Sequence, residues 1–192
     1  IKSVDKTGLT ILGSGIASTV VVDQFDRKIK KYNDAHPILF GEREELYFSE
    51  LGDGVLGLGM ALTQFAFDQD NGVKHLRTLF FSTLSHRVIT IFTQRTRPGN
   101  RRDFLNYPSS LPSGHATASF ATAGAFAYSY GWKVGIPAYI AATGVAISRV
   151  RGGRHWASDV VAGAFLGTFW ARASFEVEDK NKASMWMPTP ID

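Results

Sequence analysis

The sequence predicts an all-α protein folded as a single domain, and three observations carry that prediction. Apolar residues recur at helical spacing in most of the chain, as with Val22, Phe25 and Ile29. Glycine, proline and asparagine divide the chain into pieces of ordinary helix length. No alternating strand pattern of useful length and no internal repeat occurs. A chain of 192 residues fits one domain and can bury a sizeable core. Its 44% hydrophobic and 20% charged residues exclude extensive disorder.

Taken in order, residues 1–9 are polar and read as an irregular lead-in. From Thr10 to about Tyr32 the pattern gives one helix or two in succession, with Lys28, Lys30 and Lys31 on a solvated face. His36-Pro37 breaks the chain, and residues 41–46 form a short acidic turn or helix. A longer helix is predicted from Ser49 to about Phe67, with Asn71-Gly72 as the stop signal. The next runs from Val73 to Arg97, with Leu76, Leu79, Phe80, Leu84, Val88, Ile91 and Phe92 on its apolar side, and Pro98 ends it. Residues 98–112 make a long connection of the kind that is usually functional. Helices over 113–130, 134–148 and 156–175 complete the domain, 1–175, and 176–192 form a polar, extended tail.

The net charge of +4 favours anionic partners, but the arginines crowd into residues 87–154 instead of forming an outer stripe, which argues against nucleic acid. The absence of cysteine excludes disulfides, thiolate catalysis and Cys-ligated zinc. The first residue is Ile, consistent with an upstream secretory signal that has been removed. No stretch of about 18 apolar residues marks an isolated membrane span. The mean hydropathy of −0.05 favours a soluble bundle. Small residues along several helices also suit close packing inside a membrane.

The chemistry concentrates between Arg97 and Asp159. Pro112-Ser113-Gly114-His115 runs into the small-residue segment 116–120 and reads as a helix start with Ser113 as its cap. That start offers free amides and the positive end of the helix dipole, an anion site with His115 standing in it. A phosphate bound there would let the histidine carry a proton and act as a general acid; a plain end-capping histidine has the same spacing. Asp159 lies four residues beyond His155 and shares its helix face. An Asp accepting from one ring nitrogen frees the other to attack, although a surface ion pair is spaced alike. Arg97 and Arg149 offer planar forks suited to phosphoryl oxygens. Arg151 and Arg154 are rim candidates.

In order, the Arg97-Pro98, Pro112-Ser113-Gly114-His115 and Ser148-Arg149-x5-His155-x3-Asp159 blocks resemble the tripartite signature of the type 2 phosphatidic acid phosphatase (PAP2) superfamily. That family includes bacterial acid phosphatases and vanadium haloperoxidases. The resemblance covers roughly residues 72–175. It implies a bundle of about six helices and a phosphatase site needing neither metal nor cofactor. By motif position, His155 would become phosphohistidine, Asp159 would orient it, and His115 would protonate the leaving group and then activate water. Arg97, Arg149, Ser113 and the Gly114 amide would hold the phosphoryl oxygens. The expected substrate is a phosphorylated lipid or other organic phosphate, met in the periplasm or cell envelope with peripheral membrane contact.

One position departs from the signature: Thr90 stands where the first block opens with Lys. Arg87, Thr90, Gln94 and Arg97 are spaced to share one helix face, which makes Arg87 the candidate substitute for the missing cation. Losing that charge outright would give a phospholipid-binding pseudoenzyme, one alternative. The other is a vanadium-dependent haloperoxidase, since vanadate mimics the phosphoryl transition state. Phe104, Tyr107 and Trp156 would suit an amphiphilic substrate beside the site, or ordinary packing.

Overall fold

The computed structural model describes residues 5–36, 42–100 and 110–185. The fold is all-α, as expected, with eight α-helices among the described residues in place of about six. They are α1 (Lys6–Asp23), α2 (Asp26–Ala35), α3 (Glu42–Leu51), α4 (Gly54–Phe67), α5 (Gln69–Thr93), α6 (Gly114–Tyr130), α7 (Trp132–Arg151) and α8 (Ala157–Met185). A single 3-10 turn, Pro98–Asn100, follows α5.

The extra helices come from breaks with local causes. Asp5 caps α1 by accepting from the Gly8 amide, so the helix begins inside the segment expected to be irregular. A bend of 59° at Gln24-Phe25 separates α1 from α2. Asp53 caps α4 through the Val55 amide, splitting the predicted 49–67 helix after Leu51. Asp68 then caps α5 through the Asn71 amide. Asn71-Gly72 therefore lies in the first turn of a helix, and the break falls at Asp68 instead. At its other end α5 stops at Thr93, because Gln94 takes a left-handed backbone at φ 43°. α8 continues to Met185, ten residues beyond the predicted Phe175, while the rest of the expected tail, 186–192, lies outside the described residues.

α6 and α8 form the most extensive helix pair, with α7 on α6 and α1 on α8. Small residues make this possible. A Cβ on Gly167 would sit 2.4 Å from the Thr117 carbonyl oxygen, and one on Gly163 2.6 Å from that of Ser113. The buried apolar side chains of this core are mostly small: Ala116, Ala121, Ala123, Ala125, Ala142, Val145 and Ala171. Arg172 on α8 ties the start of α1 through Asp5 at 2.7 Å.

α5 reverses the expected polarity. Of the seven residues expected on its apolar side, only Leu79 is buried and Leu76 partly so, while Phe80, Leu84, Val88, Ile91 and Phe92 face outward. Lys74, His75, Thr78, Ser82 and Thr90 face inward. His75 is satisfied there by Gln64 at 2.9 Å and Thr122 at 3.3 Å. Periodicity locates a face; it does not say which way the face points. Among the described residues no single helix is long and apolar enough to cross a membrane alone, although the bent pair α1 and α2 passes that test jointly.

Candidate active site

The site forms where the start of α6, the end of α7 and the start of α8 meet. Ser113 caps α6 as expected, its hydroxyl accepting from the Ala116 amide, and its own amide donates to the Asp159 carbonyl at 2.9 Å. The cap thus joins the start of α6 directly to α8. Gly114 and His115 occupy the first turn, where backbone amides have no intrahelical acceptor.

His155 lies between α7 and α8 and is 4% exposed. Its Nδ1 donates to the Ser110 carbonyl at 2.9 Å and stands 3.6 Å from Asp159 Oδ2. The expected direct His155–Asp159 hydrogen bond is therefore corrected: the Ser110 carbonyl is the nearer acceptor. Both neighbours are acceptors, which assigns the proton to Nδ1 and leaves Nε2 with its lone pair. Burial pushes the His155 pKa down, with the Arg97 charge adding to it, against the Asp159 carboxylate and the Ser110 carbonyl, which both favour the protonated ring. The lowered pKa favours the neutral ring.

Asp159 is fully buried and held at both oxygens. Oδ2 accepts from the Ser110 hydroxyl and from the Trp156 amide, and Oδ1 accepts from Arg95 Nη1 at 2.9 Å. Ser110 and Arg95 were not singled out by the sequence reading. Their partners are 49 and 64 positions away, and no local spacing records such a pairing.

On the α6 side, Ser49 of α3 bridges two expected residues. Its hydroxyl lies 3.4 Å from His115 Nε2 and accepts from Arg149 Nη1 at 3.2 Å. Arg149 is 4% exposed and is thereby brought to His115. Burial and then the Arg149 charge push the His115 pKa down to about 4, against Asp53. His86, on α5, is another residue the sequence reading passed over. Its ring faces Gly114, where an added Cβ would come within 3.1 Å of Nε2. Burial, reinforced by Arg87, lowers its pKa to about 4 as well. Two buried histidines with lowered pKa values thus stand close to arginines.

The shared face expected for Arg87, Thr90, Gln94 and Arg97 does not form, because α5 ends before Gln94. Arg97 lies beyond the helix, half-buried, and its charge acts on His86, His115 and His155. Thr90 is buried and donates to the Leu111 carbonyl at 3.3 Å. Arg87 is exposed and lines a largely apolar groove of about 880 Å³ between α4, α5 and α6. The groove also reaches His86, Gly114 and His115. Arg151 donates to the His36 carbonyl at 3.1 Å, and Arg154 is exposed. Trp156 donates to the Thr96 carbonyl at 2.8 Å and lies under Arg95. Phe104 and Tyr107 lie outside the described residues.

Comparison with known proteins gives the family and the fold. The PAP2 superfamily profile matches residues 71–183. The chain is 36% identical over 74 residues to a lipid A 1-phosphatase of Porphyromonas gingivalis, covering 37% of this chain and 17% of that protein. It is 32% identical over 104 residues to a lipid A 4'-phosphatase of Helicobacter pylori, covering 52% of this chain and 51% of that one. The chain thus spans at most about half the length of these curated relatives. A transmembrane PAP2-type phosphatidylglycerolphosphate phosphatase from Bacillus subtilis has a similar fold, with a TM-score of 0.74 at 20% identity over 90% of this chain and 96% of the other. Aquifex aeolicus LpxE gives 0.66 at 16% identity over 78% and 94%.

Proposed function

Because the chain belongs to the PAP2 superfamily, we propose that it is a phosphatase that hydrolyses the phosphate monoester or pyrophosphate of a lipid through a phosphohistidine at His155. The observation that supports this most is the ring placement: acceptors flank Nδ1, so Nε2 is the nitrogen left to attack. The relatives named for lipid A phosphatases and a phosphatidylglycerolphosphate phosphatase support the lipid class. An apolar groove ending at His115 gives acyl chains a place beside the phosphate.

In the proposed cycle, Nε2 of His155 attacks phosphorus as the bond to the lipid oxygen breaks. His115, protonated once the phosphate sits beside it, gives its proton to that oxygen. The neutral His115 then takes a proton from water, whose oxygen attacks the phosphorus and frees His155. Arg97, Arg149, Ser113 and the Gly114 amide stabilise the equatorial oxygens. These donors supply the positive charge, so the proposed cycle uses no metal.

The outward apolar residues of α1, α4, α5 and α7, among them Ile16, Val55, Phe67, Phe92 and Ile140, support a lipid-facing belt around the bundle. We assign the protein to the bacterial cell envelope, with the site opening to the periplasm.

The test is phosphate release from phosphatidic acid, phosphatidylglycerol phosphate, isoprenyl diphosphate, phosphorylated lipid A and a soluble aryl phosphate. A lipid substrate is expected to turn over fastest, and His155→Ala to lower the rate roughly a thousandfold or more. Unchanged turnover in that variant would overturn the mechanism.

A further inference from the structure

We propose that Asp26 and Arg95 are positioning residues for the His155–Asp159 dyad, with a buried carboxylate of α2 anchoring the guanidinium that fixes Asp159. The proposal rests on the phosphatase reading for its kinetic consequence. Asp26 lies outside residues 71–183, so this is a contribution of the N-terminal helices to a site otherwise built by the family region.

Arg95 follows the left-handed turn at Gln94, which sends its side chain into the bundle. One arm, Nη1, donates to Asp159 Oδ1 at 2.9 Å and to the Ser158 hydroxyl at 2.7 Å. The other, Nη2, donates to Asp26 Oδ2 at 2.8 Å and to Asp23 Oδ1 at 2.6 Å. Asp26 is only 4% exposed and also accepts from the amide and hydroxyl of Ser158, in the first turn of α8. It therefore caps α8 from a different helix, where a carboxylate is favoured by the helix dipole.

This arrangement decides what Asp159 can do for the ring. A guanidinium, here one-quarter exposed, with Asp159 as its sole counter-charge would neutralise that carboxylate and draw it away from His155. Asp26, buried, and Asp23, about half exposed, balance the guanidinium from the other side. Negative charge on Asp159 then remains available to the imidazole, which becomes cationic when Nε2 bonds to phosphorus. With Ser110 and Trp156 on Oδ2, both oxygens have fixed partners and the ring faces a carboxylate that cannot rotate.

The experiment compares wild type, Asp26→Asn and Arg95→Lys with Asp5→Asn, which breaks the Arg172 pair at the far end of α1. It reads kcat and KM on the best lipid substrate and orthovanadate affinity by calorimetry, below every unfolding midpoint. Asp26→Asn is expected to lower kcat and vanadate affinity each about tenfold, with KM within about twofold. Asp5→Asn is expected to leave all three unchanged. Should Asp26→Asn not fold, Arg95→Lys decides, and the same split is expected there. Wild-type values in the folded variant, or an equal loss in Asp5→Asn, would overturn the proposal. If wild type binds vanadate but releases no phosphate, the phosphatase reading fails and the vanadate comparison still decides positioning.

Discussion

Ser110 acts on both members of the dyad at once, its carbonyl on His155 and its hydroxyl on Asp159. Ser110→Ala keeps the carbonyl and removes one hydrogen bond to a buried charge, a loss worth about 1.5–3 kcal/mol. Thermal unfolding is expected to show that loss, and kcat is expected to fall while KM holds. His115 makes a second prediction. With its pKa near 4 the free ring is neutral at pH 7, and an anion beside it raises that pKa, so binding takes protons up. Tungstate, a dianion with no proton of its own to give at pH 7, is expected to bind with uptake approaching one proton. Calorimetry in two buffers of different ionisation enthalpy measures this, and His115→Gln is expected to abolish most of it. His115, His155, Asp159, Arg149 and Ser113 were legible in the sequence because their blocks are contiguous. Ser49, Ser110 and Arg95 were not, since serine and arginine are ordinary residues and their partners lie 49 to 100 positions away.

At the scale of elements, the contact between α6 and α8 depends on missing side chains. Gly167→Ala would press a methyl against the Thr117 carbonyl and is expected to cost about 1–3 kcal/mol, read from the unfolding midpoint. Gly59→Ala in α4 meets nothing within 4 Å and is expected to stabilise by about 0.4–1 kcal/mol. Helix starts at capping residues such as Ser113 were readable from sequence. The stop of α5 was not, because Gln94 is not a residue type that announces a left-handed turn. Thr90 follows the same logic. Its hydroxyl holds the Leu111 carbonyl just before the Pro112 turn, so it serves the geometry of the α6 start where the signature would place a charge.

For the whole molecule, the inward polar face and outward apolar face of α5 have a measurable consequence. The protein is expected to float with phosphatidylcholine vesicles and to stay with them in about 1 M salt, since apolar burial is not screened. Phe67, 89% exposed, and Phe92, 82% exposed, are the strongest contributors to test. Replacing both with serine is expected to weaken retention by at least about tenfold, at about 1.5–3 kcal/mol for each buried ring. The mean hydropathy gives no sign of the outward apolar residues of α5, because an average does not record which side each one faces. The link between Asp26 and Ser158 also bears on synthesis. The two are 132 positions apart, so at about 5–20 residues per second the ribosome makes one roughly 7–26 s after the other. α2 is made early yet finds its buried partners late, and its acid must stay hydrated until then. A chain that stops before α8 lacks Ser158 and Asp159, and with them the groups that hold Asp26, Arg95 and Ser110 in place.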